Sequence, residues 1–350
     1  MTPVDVVTLL SALVLSTGLL VAVVAAVWWF DRYDREPLHL VVGVFLWGAL
    51  AAPVLSAGSC SVLGIVVNAT PTALAGWIGP TVEELMKAVG LLLVILLSRE
   101  FDNPTDGVVY GTAVGLGFGA TENLVYAAVG AYHAPVGETI ALVSIRTAMC
   151  AGIHALSSAA LGGCLGFATL SRDRKRRVSW AVGGFAIAVG LHAAWNVMLL
   201  RVGPSTAPWV HEMWFVTLPV LYALYATTLA LFLRSEQRIL RELLREEVEL
   251  EVLPPWVADV IPYYRRRIRS DWWPSRQERT VLARLITRLA FRKYAVRRLP
   301  RPEADLAGLE VIRLRQRIRG MLAASEDCQS FVESDLAVPK TATDRPTMKA

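Results

Sequence analysis

The sequence has little of what holds a small secreted or metal-stapled domain together. Its cysteines, Cys60, Cys150, Cys164 and Cys328, show no paired spacing. That excludes a CxxC metal site and a disulfide framework, and they read as small core residues. No internal repeat is present, which excludes solenoids and propellers. The extreme N-terminus lacks positive charge, and its apolar run ends in Trp28-Trp29-Phe30 rather than in small residues. It is therefore not a cleavable signal peptide, and the aromatic cluster predicts an interfacial anchor kept in the mature protein. Charge is scarce over the first two thirds, because residues 234–350 hold 24 of the 35 Lys and Arg residues. A soluble chain would interleave polar surface with core throughout.

What is there is apolar. Hydrophobic residues make up 54% of the chain, and the mean hydropathy is +0.46. The apolar stretches reach the roughly 18 to 20 residues that cross about 30 Å of hydrocarbon. The expected class is all-α, a polytopic membrane protein of about seven transmembrane helices. These fall at 4–30, 38–58, 72–98, 107–131, 139–170, 178–201 and 212–233, with a kink or start at Pro80 in the third. Arg32, Arg35, Arg99 and the run Arg172 to Arg177 follow the first, third and fifth helices. The positive-inside bias then puts the N-terminus outside and the C-terminus in the cytoplasm.

Three regions are expected: a membrane domain over 1–233, a basic helical cytoplasmic tail over 234–325, and a disordered end over 326–350. In the tail, Ser275-Arg276-Gln277-Glu278 has the pattern of a capping box. It would open a helix to about Arg298 with Leu282, Leu285, Ile286 and Leu289 on one face. A further helix is expected from Glu303 to Leu322. Arg265 to Arg269 beside Trp272 and Trp273 suggests anionic lipid headgroups as partners, against an equally open reading as a hairpin packed on itself. Nucleic acid is not an expected partner, since attraction to the inner leaflet already accounts for the charge.

Ionisable residues inside membrane helices are costly and therefore point to function. The third helix carries Glu83, Glu84 and Lys87, and the fourth Glu122 and Asn123, followed by Tyr126. The fifth carries Arg146 and His154, and the sixth His192 and Asn196. Glu83 and Lys87, Glu122 and Tyr126, and His192 and Asn196 are pairs four apart, while Arg146, Cys150, His154 and Ser158 form one ladder. Counted from the outer helix ends, Glu84, Glu122 and His192 lie on the order of 14 to 18 Å deep, and His154 roughly 22 Å. Helices of alternating direction thus bring acids and imidazoles to a similar level, which implies one polar cavity near mid-membrane.

Such a set suits hydrolysis of an amide bond. A buried Glu can act as a base toward water, histidines can bind metal or donate to an oxyanion, and Asn196 can support the intermediate. Lys87 would neutralise one member of the Glu pair. Glu122, Asn123 and Arg146 are supporting residues, and for them an interhelical hydrogen bond is the alternative. His39, His133 and His211 lie at helix ends or in loops, where a surface role is expected. Asp102 and Asp106 are expected to cap the fourth helix.

Several strings in order carry a family resemblance. They are Asp31-Arg32-Tyr33-Asp34-Arg35-Glu36-Pro37-Leu38, Glu83-Glu84-x-x-Lys87, Asp106-Gly107-x-x-Tyr110-Gly111, Gly115-x-Gly117-Phe118, Glu122-Asn123-x-x-Tyr126, Arg146, His154 and His192-x-x-x-Asn196. Together they resemble the PrsW family of bacterial intramembrane proteases, within the wider group of type II CAAX prenyl endopeptidases. The resemblance spans roughly residues 28 to 200. It implies a protease of the bacterial plasma membrane acting on a membrane-anchored protein, with a role in signalling as the expectation and with Glu83, Glu84, His154 and His192 catalytic. It also implies a zinc alternative, in which Glu84, His154 and His192 hold the ion with a water. No HExxH-type motif supports that set, and the choice between zinc and no metal stays open. A non-catalytic membrane scaffold and a proton-coupled transporter compete with the protease reading.

Overall fold

The computed structural model describes residues 3–98, 100–201, 208–268, 272–273, 275–298 and 301–323. Arg99, Arg269, Cys328 and the end at 326–350 lie outside them. Every regular element among the described residues is helical. The long ones, in order, are α1 (Pro3–Phe30), α2 (Leu38–Val66), α3 (Gly79–Leu97), α4 (Pro104–His133), α5 (Val136–Thr169), α6 (Arg174–Arg201), α7 (Pro208–Glu249), α8 (Arg276–Arg298) and α9 (Arg301–Ala323).

Among the described residues, five helices are long and apolar enough to cross a bilayer: α1, α2, α5, α6 and the Val216–Glu249 part of α7. Of the seven expected, α3 and α4 fall short, for a physical reason. α3 carries Glu83, Glu84 and Lys87, and α4 is rich in glycine. Side chains facing other helices need not be lipid-soluble, and α4 is buried without interruption from Thr105 to Gly119.

What packs α4 is a run of glycines four apart. A Cβ on Gly107 would stand 1.9 Å from the Gly162 carbonyl oxygen, and one on Gly111 2.2 Å from that of Ser158. Gly115 and Gly119 continue the stripe against His154 and Ala151. The backbones of α4 and α5 therefore touch, as small-xxx-small spacing allows. Another face of α4 meets α2, where Gly48 lies in the π-helical turn Trp47–Ala51.

The expected helix boundaries shift where the backbone is locally irregular. α2 runs on to Val66 through its π turn, and the π turn Leu74–Ile78 precedes Gly79 and Pro80. α5 is interrupted at Met149, and the Tyr222 hydroxyl donates to the Ala148 carbonyl there at 2.6 Å. α4 begins at Pro104, and its cap is Asn103 with Asp106 rather than Asp102 with Asp106. Asn103 Oδ1 accepts from the backbone of Thr105 and Asp106, and Asp106 Oδ2 accepts from that of Asp102 and Asn103.

Two compact units form, one of residues 1–235 and one built mainly from 236–297 and the chain after 301. α7 passes from the first to the second without a break at residue 233. In the second unit, Leu282, Leu285, Ile286 and Leu289 of α8 are buried. Ser275 Oγ accepts from the Glu278 backbone at 3.4 Å, at the start of α8. Glu247 is fully buried and held by Lys293 and Arg315, each at 2.6 Å. Trp272 and Trp273 are also buried and pack with Trp256. Three indoles together thus form a small core of their own.

The glycine contacts predict a stability effect. Gly111→Val should lower stability by about 3 kcal/mol or more, since a backbone carbonyl cannot move aside as a side chain can. Gly18→Ala, with nothing near its Cβ position, should be close to neutral. Thermal unfolding of the two purified variants checks this, and equal melting temperatures would refute the close packing.

Candidate active site

Pro80 sits in the first turn of α3, where a missing N–H costs nothing, and Glu83 and Glu84 follow. Neighbours on a helix point about 100° apart, so the pair divides. Glu84 turns inward and is fully buried, while the Glu83 side chain keeps 23% of its surface exposed. Glu84 Oε1 accepts from Lys87 Nζ at 2.5 Å and from His192 Nδ1 at 2.9 Å. Its Oε2 accepts from Ser158 Oγ at 3.3 Å. Lys87, also fully buried, is thus the partner of Glu84.

Donor and acceptor roles orient both histidines. A carboxylate only accepts, so His192 Nδ1 donates to Glu84. Its other nitrogen, Nε2, faces Glu83 Oε2 at 3.6 Å. Lys87 Nζ only donates, so it bonds the lone pair of His154 Nδ1 at 3.1 Å. His154 Nε2 then donates to Glu122 Oε2 at 2.6 Å, which also receives Arg146 at 3.0 Å. The two imidazoles meet edge to face, with centroids 4.6 Å apart.

The sequence-predicted residues converge unequally. Glu83, Glu84, Lys87, Glu122, Arg146, His154 and His192 form one connected cluster. Asn196 lies at its margin and donates to the Ala75 carbonyl at 3.0 Å, within the π turn before α3. Asn123 stands apart. It bonds Thr147 at 3.1 Å and Ser16 at 3.3 Å, clamping α1, α4 and α5. Tyr126 lies under Arg146, its ring centroid 3.5 Å from the guanidinium carbon.

Two partners were not among the predicted site residues. Ser158 belongs to the Arg146–Cys150–His154 ladder, whose spacing pointed to it. Phe118 packs between His154 and Lys87, at 5.0 and 4.8 Å from its ring centroid, and only its place one turn before Glu122 hinted at that. A cavity of about 140 Å³ opens beside the cluster, lined among others by Glu122, Arg146, His154, His192, Trp195 and Asn196.

The donor set capable of holding a metal also differs from the expected one. Ligand atoms of Glu83, His154 and His192 lie within 4.8 Å of one another. Glu83 takes the place expected of Glu84, because Glu84 is committed to Lys87, His192 and Ser158. Glu83 Oε2 and His192 Nε2 face each other as two zinc ligands would, whereas His154, with Nδ1 on Lys87 and Nε2 on Glu122, would have to release one of them to join. A second acidic group, Asp31, Glu36 and Asp106, lies elsewhere, with Tyr110 donating to Glu36. Burial, helped by the neighbouring Asp106, holds the Glu36 carboxyl well above the usual carboxylate range.

The profile of a family described as PrsW family intramembrane metalloprotease matches residues 36–227. Protease PrsW of Geobacillus kaustophilus (strain HTA426) is 29% identical over 191 residues, 54% of this chain and 80% of that protein. Protease PrsW of Bacillus subtilis (strain 168) is 27% identical over 193 residues, 52% of this chain and 78% of its own. No solved structure matches. The matched stretch holds every residue of the cluster and ends before α8 and α9 begin.

The Glu84–Lys87 pair predicts a strong coupling. Lys87→Met should cost about 3–5 kcal/mol of stability by leaving a buried carboxylate uncompensated. Adding Glu84→Gln should restore part of that loss, which a double-mutant cycle by thermal unfolding measures. Additive losses would show that the two side chains are not paired.

Proposed function

Because the chain belongs to the PrsW family of intramembrane metalloproteases, we propose that it hydrolyses a peptide bond in a membrane-anchored protein, with Glu83 as the working carboxylate. The observation that carries this reading is that Glu83 Oε2 and His192 Nε2 face each other at 3.6 Å, with His192 lining the cavity beside them. A water between them would give one proton to Glu83 and be aligned by the imidazole. Glu83 would then return the proton to the leaving amine.

The other groups act by holding this geometry. Glu84 orients His192 through Nδ1, and Lys87 compensates the buried Glu84 carboxylate, which would be too costly alone. Glu122 holds His154, and Arg146 offsets the charge of Glu122. Asn196 has a second N–H beyond the one given to Ala75, which supports a role toward the developing oxyanion. Glu83, His154 and His192 would be the residues to hold zinc, which when bound supplies a Lewis acid and a water of lowered pKa.

We further place the protein in the bacterial plasma membrane, as its named relatives are bacterial, and read the cleavage as a signalling step. α3 and α4 are the sixth and seventh spans of this reading. At 1.5 Å per residue they are about 28 and 45 Å long, enough to cross the hydrocarbon. Arg32, Arg35 and the run Arg172 to Arg177 support an external N-terminus and a cytoplasmic C-terminus.

The test is cleavage of a panel of single-pass membrane substrates by detergent-purified protein, with and without a zinc chelator. Glu83→Gln and His192→Ala should each reduce cleavage by about a hundredfold or more, with Glu83→Gln keeping the melting temperature. Loss on chelation and recovery on adding zinc would assign the metal form. Variants that cleave as wild type does would remove Glu83 and His192 from the catalytic assignment, and absence of cleavage by wild type itself would favour a scaffold. Protease protection of terminal tags in sealed vesicles tests the orientation, and a protected N-terminal tag in right-side-out vesicles would reverse it.

A further inference from the structure

The C-terminal unit lies beyond the family match, and one of its helices presents a face that no described residue of the unit covers. On α9, Ala307, Val311, Leu314 and Ile318 are buried. On the other side Leu306, Leu309 and Ile312 expose 55, 55 and 53% of their surface. They follow one another at three-residue steps and share one arc of the helix. Arg313, Arg317 and Arg319, all exposed, extend that surface toward the C-terminal end. Isolated surface aliphatics need no explanation, but three in line beside three arginines form an amphipathic basic face.

Charge points to the occupant. Residues 236–323 hold 20 Lys and Arg against 12 Asp and Glu. Internal ion pairs of the unit use Arg288, Arg292, Lys293, Arg297 and Arg315, and leave Arg313, Arg317 and Arg319 to solvent. Glu246, Glu247 and Glu310, the acids in those pairs, are correspondingly spent. The unit is also tethered to a bilayer, since α7 runs unbroken from its apolar part at Val216 into the unit at Glu249. We propose that the Leu306–Leu309–Ile312 and Arg313–Arg317–Arg319 face of α9 lies on the anionic lipid surface of the membrane that the rest of the chain spans. The aliphatics enter the headgroup boundary and the arginines meet lipid phosphates. This moves the expected lipid contact from Trp272 and Trp273, which are buried, to α9.

Each arginine near an anionic leaflet strengthens association roughly fivefold, an attraction that salt screens. The test uses the full chain in nanodiscs of phosphatidylcholine alone or with phosphatidylglycerol, read by amide hydrogen exchange. Exchange across Arg301–Ala323 should be several-fold slower in the anionic discs, and raised salt should remove the difference. Leu309→Ser with Ile312→Ser, or Arg313→Glu with Arg317→Glu, should also remove it, while unchanged exchange in Arg276–Arg298 shows that the unit stays folded. Equal exchange in the two lipids, or a difference that survives both salt and the substitutions, would overturn the proposal. Protection already complete in phosphatidylcholine and lost on deleting residues 324–350 would assign the face to the chain's own end, and would overturn it too.

Discussion

The direct contact of two helix backbones, α4 on α5, is the constraint on which the rest of the first unit depends. In a bilayer, helices gain little from hiding apolar surface from lipid, so they associate through close packing and interhelical hydrogen bonds. Glycines at four-residue spacing remove the side chains that would hold α4 and α5 apart. The same contact sets Gly115 against the backbone of His154. It therefore fixes where the imidazole of His154 stands relative to Glu122, one helix across.

The polar cluster is then a matter of compensation. Glu84 and Lys87 are fully buried, and each is bonded to the other and to a histidine. Glu122 is shared between His154 and Arg146. Among the described residues Glu83 meets no cation at hydrogen-bonding distance, and it faces His192 at the looser 3.6 Å. It is the acid of this network left least committed. In the C-terminal unit the same arithmetic of charge works outward, since Glu246, Glu247 and Glu310 are taken up internally while Arg313, Arg317 and Arg319 of α9 are exposed.

Much of the candidate site was legible because ionisable residues in apolar helices are conspicuous, and because helical spacing and depth are simple geometry. Spacing could not say which of two adjacent carboxylates turns inward. It placed Asn123 beside Glu122, although one step along a helix sends Asn123 to Ser16 and Thr147 instead. It read Trp272 and Trp273 as interfacial from their arginine neighbours, a local cue that the indole cluster with Trp256 overrides.

By itself the sequence determined the helical class, the long apolar segments, and the identity of the acids, imidazoles and cations that meet, because these follow from composition and period. Only the tertiary structure decided that Glu84 pairs with Lys87 while Glu83 stays open, and that Asn196 holds a carbonyl of the neighbouring π turn. It also decided which face of α9 is left uncovered. The reason is that burial and partnership belong to side chains on different helices, and their distances are set by packing rather than by position along the chain.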